Sequence, residues 1–301
     1  MKTVLFHNPS AGDEGHRQQD LVALLRGSGL QVEVRDPQGD SLRDGLSMSA
    51  GLVLVAGGDG TVGRVATGLE HREARMAVLP LGTANNLARA LGPWPSPRDF
   101  AEGWPQAAQV NLNVAVAEAA EGDKPFASRR FVEAVGFGAF ARAVEHADRT
   151  GKEGVEAGRA AFRRILADAP ARRVRLTVDG QEREEETLLV EVMNIPLFGP
   201  NLVLAPDADP GDGLLDVVTL PPGRRAAMLD WLDHPGAGHP PVEIRRGATA
   251  AIDWPGGHIR MDDTPLDWSG PARLRFRLEP EPIHVLIPPA CLAAPKKGSA
   301  R

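Results

Sequence analysis

The chain has 301 residues, and 42% of them are hydrophobic, which is enough for one large domain or two domains with proper cores. A charged fraction of 25% gives no sign of disorder, and a net charge of −6 argues against a general nucleic-acid binder, whose affinity rests on neutralising phosphates. The one cysteine, Cys291, excludes an internal disulfide framework and a cysteine zinc cluster, which fits a reducing compartment.

No apolar segment reaches the length of a membrane span. The apolar run that follows Met1 is too short for a signal peptide. We therefore expect a soluble, cytoplasmic protein that has no nucleic-acid partner and no transmembrane segment, and whose contact with a membrane is peripheral.

The first part of the chain alternates predicted strands with predicted helices. Apolar runs predict strands at Thr3 to His7, Leu30 to Val34, Gly51 to Ala56 and Met76 to Leu79. Between them, apolar residues recur at helical spacing. Such alternation predicts parallel strands in a doubly wound α/β sheet, and the ligands of such sheets sit at the C-terminal ends of the strands.

The run Val53 to Thr61 is a short apolar strand that ends in three glycines, with one carboxylate, Asp59, among them. A glycine-rich turn between a strand and a helix lets backbone N–H groups close around phosphate oxygens. We expect Gly58 and Gly60 to be needed there for close approach and for positive φ angles. A carboxylate would repel phosphate, so we interpret Asp59 as facing a metal ion or accepting a hydroxyl proton beside a transferred phosphoryl group.

Two alternatives to phosphate binding stay open for this loop. The glycines Gly58, Gly60 and Gly63 match the dinucleotide fingerprint, which predicts an acidic residue about 20 positions further on. Here the next strand ends instead in Pro80-Leu81-Gly82-Thr83. The loop could also be a structural turn. Glycine-bearing turns after three strands, at His7, Ala56 and Leu79, would open on one edge of the sheet and so favour the phosphate site.

From about Phe131 the pattern changes to short strands separated by proline and glycine, after a helix-compatible stretch from Gly138 to Ala169. Asp179-Gly180 lies between two apolar runs and predicts a tight hairpin turn with positive φ angles. This second part is predicted to be an antiparallel β-sandwich or barrel. The tail, residues 296–301, is predicted to be disordered.

These motifs together resemble the diacylglycerol kinase catalytic family, which includes sphingosine, ceramide and bacterial lipid kinases and is related to NAD kinases. The resemblance spans nearly the whole chain and is carried by Asn8 to Gly12, Gly57 to Thr61, Pro80 to Asn86, Asn194, and Ala205 to Asp216. It implies an NAD-kinase-like α/β domain, a β-rich antiparallel sandwich as second domain, ATP in the cleft between them, and a last strand that returns to the first domain.

On this resemblance we expect a nucleotide-binding domain at 1–127 with a C-terminal return at 284–295, and a lipid-substrate domain at 128–283. The resemblance implies that ATP is bound by a set of loop residues: Asn8, Pro9, Ser10, Ala11, Gly12, Gly57, Gly58, Asp59, Gly60, Thr61, Gly82, Thr83 and Asn85. It also implies a structural Mg²⁺ on Asp212, helped by the carbonyl oxygens of Asp209 and Leu214. An acidic, glycine-bearing turn suits a hard cation, although the same segment could be only a reverse turn.

The sequence also departs from the family pattern. Gly63-Arg64 stand where the family commonly has Asn-Glu, and the third motif ends in Asn85-Asn86 rather than Asn-Asp. The late Asp-Gly-Glu motif corresponds to Asp262-Asp263-Thr264, and a threonine hydroxyl cannot take a proton at neutral pH. We therefore expect Asp59 to be the first catalytic carboxylate and Asp262 or Asp263 the second. Adjacent residues of a strand point to opposite faces, so only one of these two would serve the cleft.

The functional hypothesis is a Mg²⁺-dependent kinase that transfers the γ-phosphate of ATP to a lipid hydroxyl, such as that of diacylglycerol, at a membrane surface. Two rivals stay open: an NAD-kinase-like enzyme with a polar acceptor, and a catalytically weak nucleotide-binding protein. A basic cluster, residues 159–175, could meet anionic lipid headgroups or be a solvated helix face. A homodimer is also left open.

Overall fold

The computed structural model describes residues 1–11, 17–120, 126–150, 154–235 and 238–293, without the side chains of 147–150 and 293. The predicted binding residue Gly12 and the predicted disordered tail lie outside these ranges. The chain divides into two compact units, Met1–Leu112 with Glu281–Arg301, and Asn113–Pro280. The first unit ends before the expected boundary at 127, because the strand Ala115–Ala119 pairs with the strand Ala272–Leu278 of the second unit.

The first unit alternates strands with helices, as predicted. Its strands are β1 (Lys2–His7), β2 (Gln31–Arg35), β3 (Leu52–Gly57), β4 (Arg75–Pro80), β5 (Ala108–Leu112) and the returning β20 (Ile283–Ile287). Its helices are α1 (Gln18–Gly27), α2 (Gly39–Ser47), α3 (Asp59–Gly68), α4 (Asn86–Leu91), α5 (Pro97–Gly103) and α9 (Ala290–Ala293), with a short 3₁₀ turn at Trp104–Gln106.

The strands of the first unit form one sheet in the order β2-β1-β3-β4-β20-β5. All pairings are parallel except the edge pairing of β20 with β5. Successive strand residues face opposite layers: Leu5 and Leu54 pack with Leu25 of α1 and Phe100 of α5, whereas Phe6 lies against Gly45 of α2. Helices therefore cover both faces, which confirms the doubly wound α/β prediction and the return of the last strand.

The second unit is built mainly from short strands. They are β6 (Ala115–Ala119), β7 (Ser128–Phe131), β8 (Ala134–Gly138), β9 (Arg172–Val178), β10 (Gln181–Thr187), β11 (Leu189–Met193), β12 (Leu197–Phe198), β13 (Leu202–Val203), β14 (Leu215–Thr219), β15 (Glu243–Gly247), β16 (Thr249–Trp254), β17 (Ile259–Met261), β18 (Thr264–Pro265) and β19 (Ala272–Leu278). Its helices are α6 (Ala139–Thr150), α7 (Val155–Ala167) and α8 (Arg225–Asp233), with a 3₁₀ turn at Pro222–Arg224.

Two antiparallel sheets pack face to face in this unit, in the orders β10-β9-β16-β19-β6-β7 and β15-β14-β11-β8-β17-β18. The core between them contains Phe137 and Val190 from one sheet and Trp254 and Phe276 from the other. The hairpin turn has φ of 45° at Asp179 and 79° at Gly180, as Asp-Gly predicts. The sandwich prediction is confirmed.

Helices α6, α7 and α8 cover the outer face of the second of these sheets, and a buried ion pair lies in that layer. Glu191 of β11 and Arg260 of β17 both pair with Gly136 of β8, so the two charged side chains meet across the middle strand. Arg260 Nη2 donates to Glu191 Oε2 at 2.6 Å, and a Cβ on Gly136 would collide with the Glu191 carboxylate. Glycine at 136 is therefore what makes room for the pair.

The arginine also stacks within 4.9 Å of the ring centre of Phe140 and donates from Nη1 to the carbonyl oxygen of Asp262 at 2.7 Å. Burial raises the pKa of Glu191 to about 7, although the charge of Arg260 and its hydrogen bond lower it. The pair thus joins strand β11, helix α6 and the turn that carries Asp262.

We expect Arg260→Met to destabilise the protein in a pH-dependent way. Loss of one partner of a buried ion pair typically costs about 3–5 kcal/mol. Without the guanidinium, the pKa of Glu191 rises further above its ordinary value, and stability is lost as pH rises through the folded-state pKa. The deficit relative to the parent should therefore be smallest near about pH 5 and grow above about pH 7, as measured by denaturant unfolding across this range.

The double variant Glu191→Gln/Arg260→Met is the control. It removes the titrating carboxylate, so its stability should lack the decline that Arg260→Met shows as pH rises above about pH 7. Parallel stability curves for Arg260→Met and the double variant would contradict the assignment of the effect to Glu191.

Candidate functional site

The three predicted loops do lie on one edge of the first sheet. Strands β1, β3 and β4 are parallel neighbours, and the loops follow directly after His7, Gly57 and Pro80. The pairing of His7 with Ala56, and of Gly57 with Pro80, places their carboxyl ends at the same level. The edge where ligands of such sheets bind is thus built from these loops.

The second and third loops touch through their backbones. A Cβ on Gly58 would lie 3.1 Å from Gly82 Cα, and a Cβ on Gly82 would lie 2.5 Å from Gly58 Cα. The expected positive φ angles are wrong: Gly58 has φ of −90° and ψ of −176°, and Gly60 lies in helix α3. These loops need glycine at 58 and 82 because two backbones pass within contact distance, and no side chain fits between them.

The first loop is joined to the second by side chains. Asn8 Nδ2 donates to Thr61 Oγ1 at 3.2 Å, and Asn8 Oδ1 accepts from the Ser10 N–H at 3.0 Å. Thr61 is buried, whereas Pro9 and Ser10 are exposed and Ala11 is half-buried. A Cβ on Gly57 would lie 2.7 Å from Thr61 Cβ, so this glycine makes room for the threonine.

Asn85 organises the third loop. It has φ of 52°, a left-handed conformation that asparagine tolerates better than most residues. Its Oδ1 accepts from the Gly82 N–H at 3.0 Å, and its Nδ2 donates to the Gly82 carbonyl oxygen. Thr83 is exposed at the tip of this turn. The side chain of Asn85 therefore holds the backbone of Gly82 against Gly58.

Asp59 is the first residue of helix α3 and only 8% exposed. Its Oδ1 accepts a hydrogen bond from the backbone N–H of Leu87 at 3.1 Å. Leu87 lies in the first turn of α4, where N–H groups have no acceptor within the helix. The carboxylate therefore joins the start of one helix to the start of the next. The sequence motifs did not predict this contact, because the donor to Asp59 is a backbone N–H group, which every residue except proline carries.

Helix α3 presents the start of a ten-residue helix to this edge. The N–H groups of Thr61 and Val62 both donate to the Gly58 carbonyl oxygen at 3.0 Å. Among the residues that the structure describes, none accepts a hydrogen bond from the N–H of Gly58 or Gly60. Both groups can therefore donate to an anion, and the positive end of the helix favours one there.

In the second unit, Asp262 and Asp263 form the turn between β17 and β18, in which Met261 pairs with Thr264. The expectation that they lie on a strand and point to opposite faces is wrong, because Asp262 has φ of 47° and the chain reverses there. Asp263 and Thr264 are exposed.

The Asp262 carboxylate is turned towards the backbone of a neighbouring segment. Oδ1 accepts from the N–H groups of Glu133 at 2.9 Å and Ala134 at 3.1 Å, and Oδ2 accepts from Val132 at 3.3 Å. Burial raises the pKa of Asp262 to about 6, the three N–H groups lower it, and the neighbouring Asp263 raises it. The geometry gives Asp262 a clear role in fixing this turn.

Asn194 lies at the same end of this sheet, directly after β11. Its Nδ2 donates to the carbonyl oxygens of Asn113 at 3.0 Å and Val132 at 2.9 Å, and its backbone N–H donates to the Glu133 carbonyl oxygen at 2.8 Å. Asn113, Glu133 and Asn194 are all buried. The resemblance pointed to Asn194, whereas Asn113 and Glu133 were missed because no spacing in the sequence connects them.

The segment expected to hold Mg²⁺ is closed on itself. Asp209 Oδ1 accepts from the Gly211 N–H at 3.1 Å, and Asp212 Oδ1 accepts from the Leu214 N–H at 2.9 Å. Asp212 Oδ2 is paired with the guanidinium of Arg246. Within the described part of the chain, no group of three or more His, Cys, Asp or Glu residues is arranged to hold a metal ion. With a guanidinium on its one predicted carboxylate ligand, the donor set does not fit a divalent cation.

The basic cluster is dispersed in the structure. Arg163 pairs with Asp233, and Arg175 pairs with Glu184. Arg159 donates to the carbonyl oxygen of Pro200 at 3.0 Å. These contacts describe a solvated surface with internal charge pairing. Among the described residues, no helix has the length and apolar character needed to cross a membrane.

Comparison with known proteins covers both units. Residues 2–121 match the family described as "Diacylglycerol kinase catalytic domain", and residues 133–287 match that described as "YegS C-terminal NAD kinase beta sandwich-like domain". The chain is 31% identical to "Probable lipid kinase YegS-like" of Pseudomonas putida, over 95% of this chain and 94% of that protein. It is 25% identical to "Diacylglycerol kinase" of Mycobacterium tuberculosis, over 91% of this chain and 86% of that protein.

Solved structures share the fold. A diacylglycerol kinase crystal structure from Bacillus anthracis superposes with a TM-score of 0.72 at 23% identity, covering 96% of this chain and 98% of that one. The yeast NADH kinase structure complexed with NADH superposes with a TM-score of 0.58 at 10% identity, covering 95% of this chain and 83% of that one. At these identities, the likeness is one of fold.

We expect Gly82→Ala to destabilise the protein by about 1–3 kcal/mol, the usual cost of overpacking. Its new methyl group would meet the backbone of Gly58 at 2.5 Å and Asn85 Oδ1 at 3.0 Å, and backbone cannot move aside as a flexible side chain can. Denaturant unfolding monitored by circular dichroism measures the change.

Gly27→Ala is the matched control, since Gly27 lies in helix α1 and a Cβ added there would have no atom within 4 Å. That variant should be as stable as the parent or slightly more stable, because alanine favours the helix. Equal stability of the two variants would refute a tight contact between the loops.

Proposed function

Because the chain belongs to the diacylglycerol kinase catalytic family, we propose that it transfers the γ-phosphate of ATP to a lipid hydroxyl such as that of diacylglycerol. The observation that carries the proposal is the interlocked edge of the first sheet. There, two loops in backbone contact flank a helix start with a buried carboxylate. A phosphate-binding backbone with a positioned acid is what phosphoryl transfer requires of a protein.

The proposed nucleotide position follows from the available donors. The N–H groups of Gly58 and Gly60 would meet phosphate oxygens at the start of α3. The exposed residues Ser10 and Thr83 border the same edge of the sheet. Mg²⁺ would enter as part of the MgATP substrate, where it bridges phosphate oxygens and offsets their charge. An ATP cleft between the two units stays a prediction from the family resemblance.

Asp59 is the proposed catalytic carboxylate. Its hydrogen bond from Leu87 fixes the orientation of the carboxylate, and its position beside Gly58 and Gly60 puts it next to the proposed phosphate site. In that position it would orient the attacking hydroxyl and accept its proton. Because Asp262 is engaged by three backbone N–H groups, Asp263 is the second-unit carboxylate that we retain as a candidate.

We propose that a cytoplasmic protein reaches the acceptor at a membrane surface, by transient peripheral contact. This part of the proposal rests on the names of the relatives, which include lipid kinases and a diacylglycerol kinase. A polar acceptor such as NAD is the rival, because the fold is shared with yeast NADH kinase.

The test is transfer of labelled phosphate from γ-labelled MgATP to a panel of lipids in mixed micelles, including diacylglycerol, ceramide and sphingosine. Label in an organic-extractable product that depends on one lipid would support the proposal. Label that stays in the aqueous phase on NAD would instead establish the rival. Saturable ATP binding without transfer to any lipid or to NAD would contradict both and leave a nucleotide-binding protein.

We expect Asp59→Asn to lower turnover on the order of 10²-fold or more, the usual loss for a positioned acid–base group. Its side-chain oxygen can still accept from the Leu87 N–H, so the fold should persist. Affinity for ATP should be kept or increased, because a negative charge beside the phosphates is removed. Turnover and ATP affinity are measured on the same preparation.

Two variants separate chemistry from structure. Asp59→Ala leaves the Leu87 N–H without its acceptor and should destabilise the protein by about 1–3 kcal/mol, whereas Asp59→Asn should not. Asp20→Asn, an exposed carboxylate in the first turn of α1, should change neither property. Parental turnover in Asp59→Asn would remove this residue from the catalytic role.

A further inference from the structure

Two carboxylates of the second unit share one arginine. Asp216 of β14 and Arg246 of β15 are directly opposite each other in the antiparallel pair. Arg246 Nε lies 3.0 Å from Asp216 Oδ1, and Arg246 Nη2 pairs with Asp212 Oδ2 in the preceding loop. The pairing of β14 with β15 fixes the position of Arg246 along its strand. Its guanidinium therefore contacts both the loop, at Asp212, and strand β14, at Asp216.

The carboxylates are crowded enough to need a positive charge. The carboxylates of Asp212 and Asp216 both lie within contact distance of the Arg246 guanidinium, so two negative charges are close to each other. Asp216 is only 2% exposed, so water contributes little to its solvation. A neighbouring cation stabilises a buried carboxylate in its charged form, and Arg246 supplies that cation here.

The remaining oxygen of Asp212 is also engaged. Oδ1 accepts from the Leu214 N–H at 2.9 Å, and the Asp209 carbonyl oxygen accepts from the Asp212 N–H at 3.3 Å. A divalent cation bound by Asp212 would compete with one of these contacts and would be repelled by the adjacent guanidinium. Hydrogen bonds within the loop thus engage Asp212, and Arg246 of β15 offsets its negative charge.

We propose that Arg246 is the resident cation of the loop 209–214, holding Asp212 and Asp216 in place of a divalent metal. Two consequences follow. The loop of the parent protein is stable without Mg²⁺, and removal of the guanidinium leaves two carboxylates that bind a divalent cation. Both consequences concern the folded protein alone, so they are independent of the acceptor in the kinase reaction.

The experiment compares the parent with Arg246→Gln in the absence of nucleotide, so that no metal is carried by ATP. Thermal unfolding is followed in chelator and in increasing Mg²⁺, and Mn²⁺ binding is followed by water-proton relaxation. The parent should show no saturable shift in its unfolding temperature. Arg246→Gln should unfold earlier in chelator, recover with Mg²⁺, and bind Mn²⁺ at least ~10-fold more tightly than the parent, because a repelling charge is gone.

Three further variants make the result specific. Arg273→Gln removes an arginine from a similar two-bond pair with Asp253 on the other sheet and should gain no metal response. Asp212→Asn/Arg246→Gln should lose the response gained by Arg246→Gln. Arg246→Lys retains the positive charge and should stay insensitive to metal.

A folded Arg246→Gln protein that ignores Mg²⁺ and Mn²⁺ would overturn the proposal. So would a parent whose unfolding temperature rises saturably with Mg²⁺ and loses that rise in Asp212→Asn. The second measurement uses the parent and a single conservative variant, so it decides the question even where Arg246→Gln does not fold.

Discussion

The contact between the backbones of Gly58 and Gly82 is the constraint on which the first unit's site depends. Parallel pairing of β3 with β4 brings the two loops side by side, and the Leu81 N–H donates to the Gly57 carbonyl oxygen at 3.0 Å. Beyond this hydrogen bond, the two loops can come into backbone contact only at Gly58 and Gly82, where neither residue carries a Cβ. This approach brings the starts of α3 and α4 into contact and so creates the position that Asp59 occupies.

One carboxylate joins the starts of two helices at this edge, and the proposed function gives it a second role in the reaction. Asp59 is buried and accepts a hydrogen bond from the Leu87 N–H, beside the starts of two neighbouring helices. The same environment favours a bound phosphate, which the carboxylate would repel. An acid held at such a place by the fold is therefore informative about function, since a purely structural cap would be as well served by a neutral side chain.

In the second unit, arginines repeatedly neutralise acids that the fold has buried or crowded. Arg260 meets Glu191 across a glycine in the middle strand, and Arg246 meets Asp216 from the directly opposite position. In both places the sheet register, rather than any flexible approach of long side chains, brings the charges together. This explains how an antiparallel sandwich with apolar cores on both faces of one sheet accommodates buried carboxylates.

The sequence alone determined the division into an alternating and a β-rich part, the doubly wound sheet, the Asp179-Gly180 hairpin and the three loops at one edge. Each of these depends on local signals: hydrophobic periodicity, turn chemistry and glycine position. The family resemblance added the returning last strand. The resemblance also named Gly57, Gly58, Asp59, Thr61 and Asn85 as nucleotide-binding residues, which stays a prediction.

Only the tertiary structure decided what those residues touch. Register placed Glu191 and Arg260 on either side of Gly136, and it placed Arg246 on Asp216, although these residues are far apart in the chain. The positive φ angles expected at Gly58 and Gly60 are wrong, and the close approach of the Gly58 and Gly82 backbones was not predicted, because such a contact leaves no trace in a local pattern. Asp262 was predicted to lie on a strand but lies in a turn. There its carboxylate accepts hydrogen bonds from three N–H groups of a segment far away in the chain. Contacts of this kind depend on long-range pairing, which the order of residues does not display.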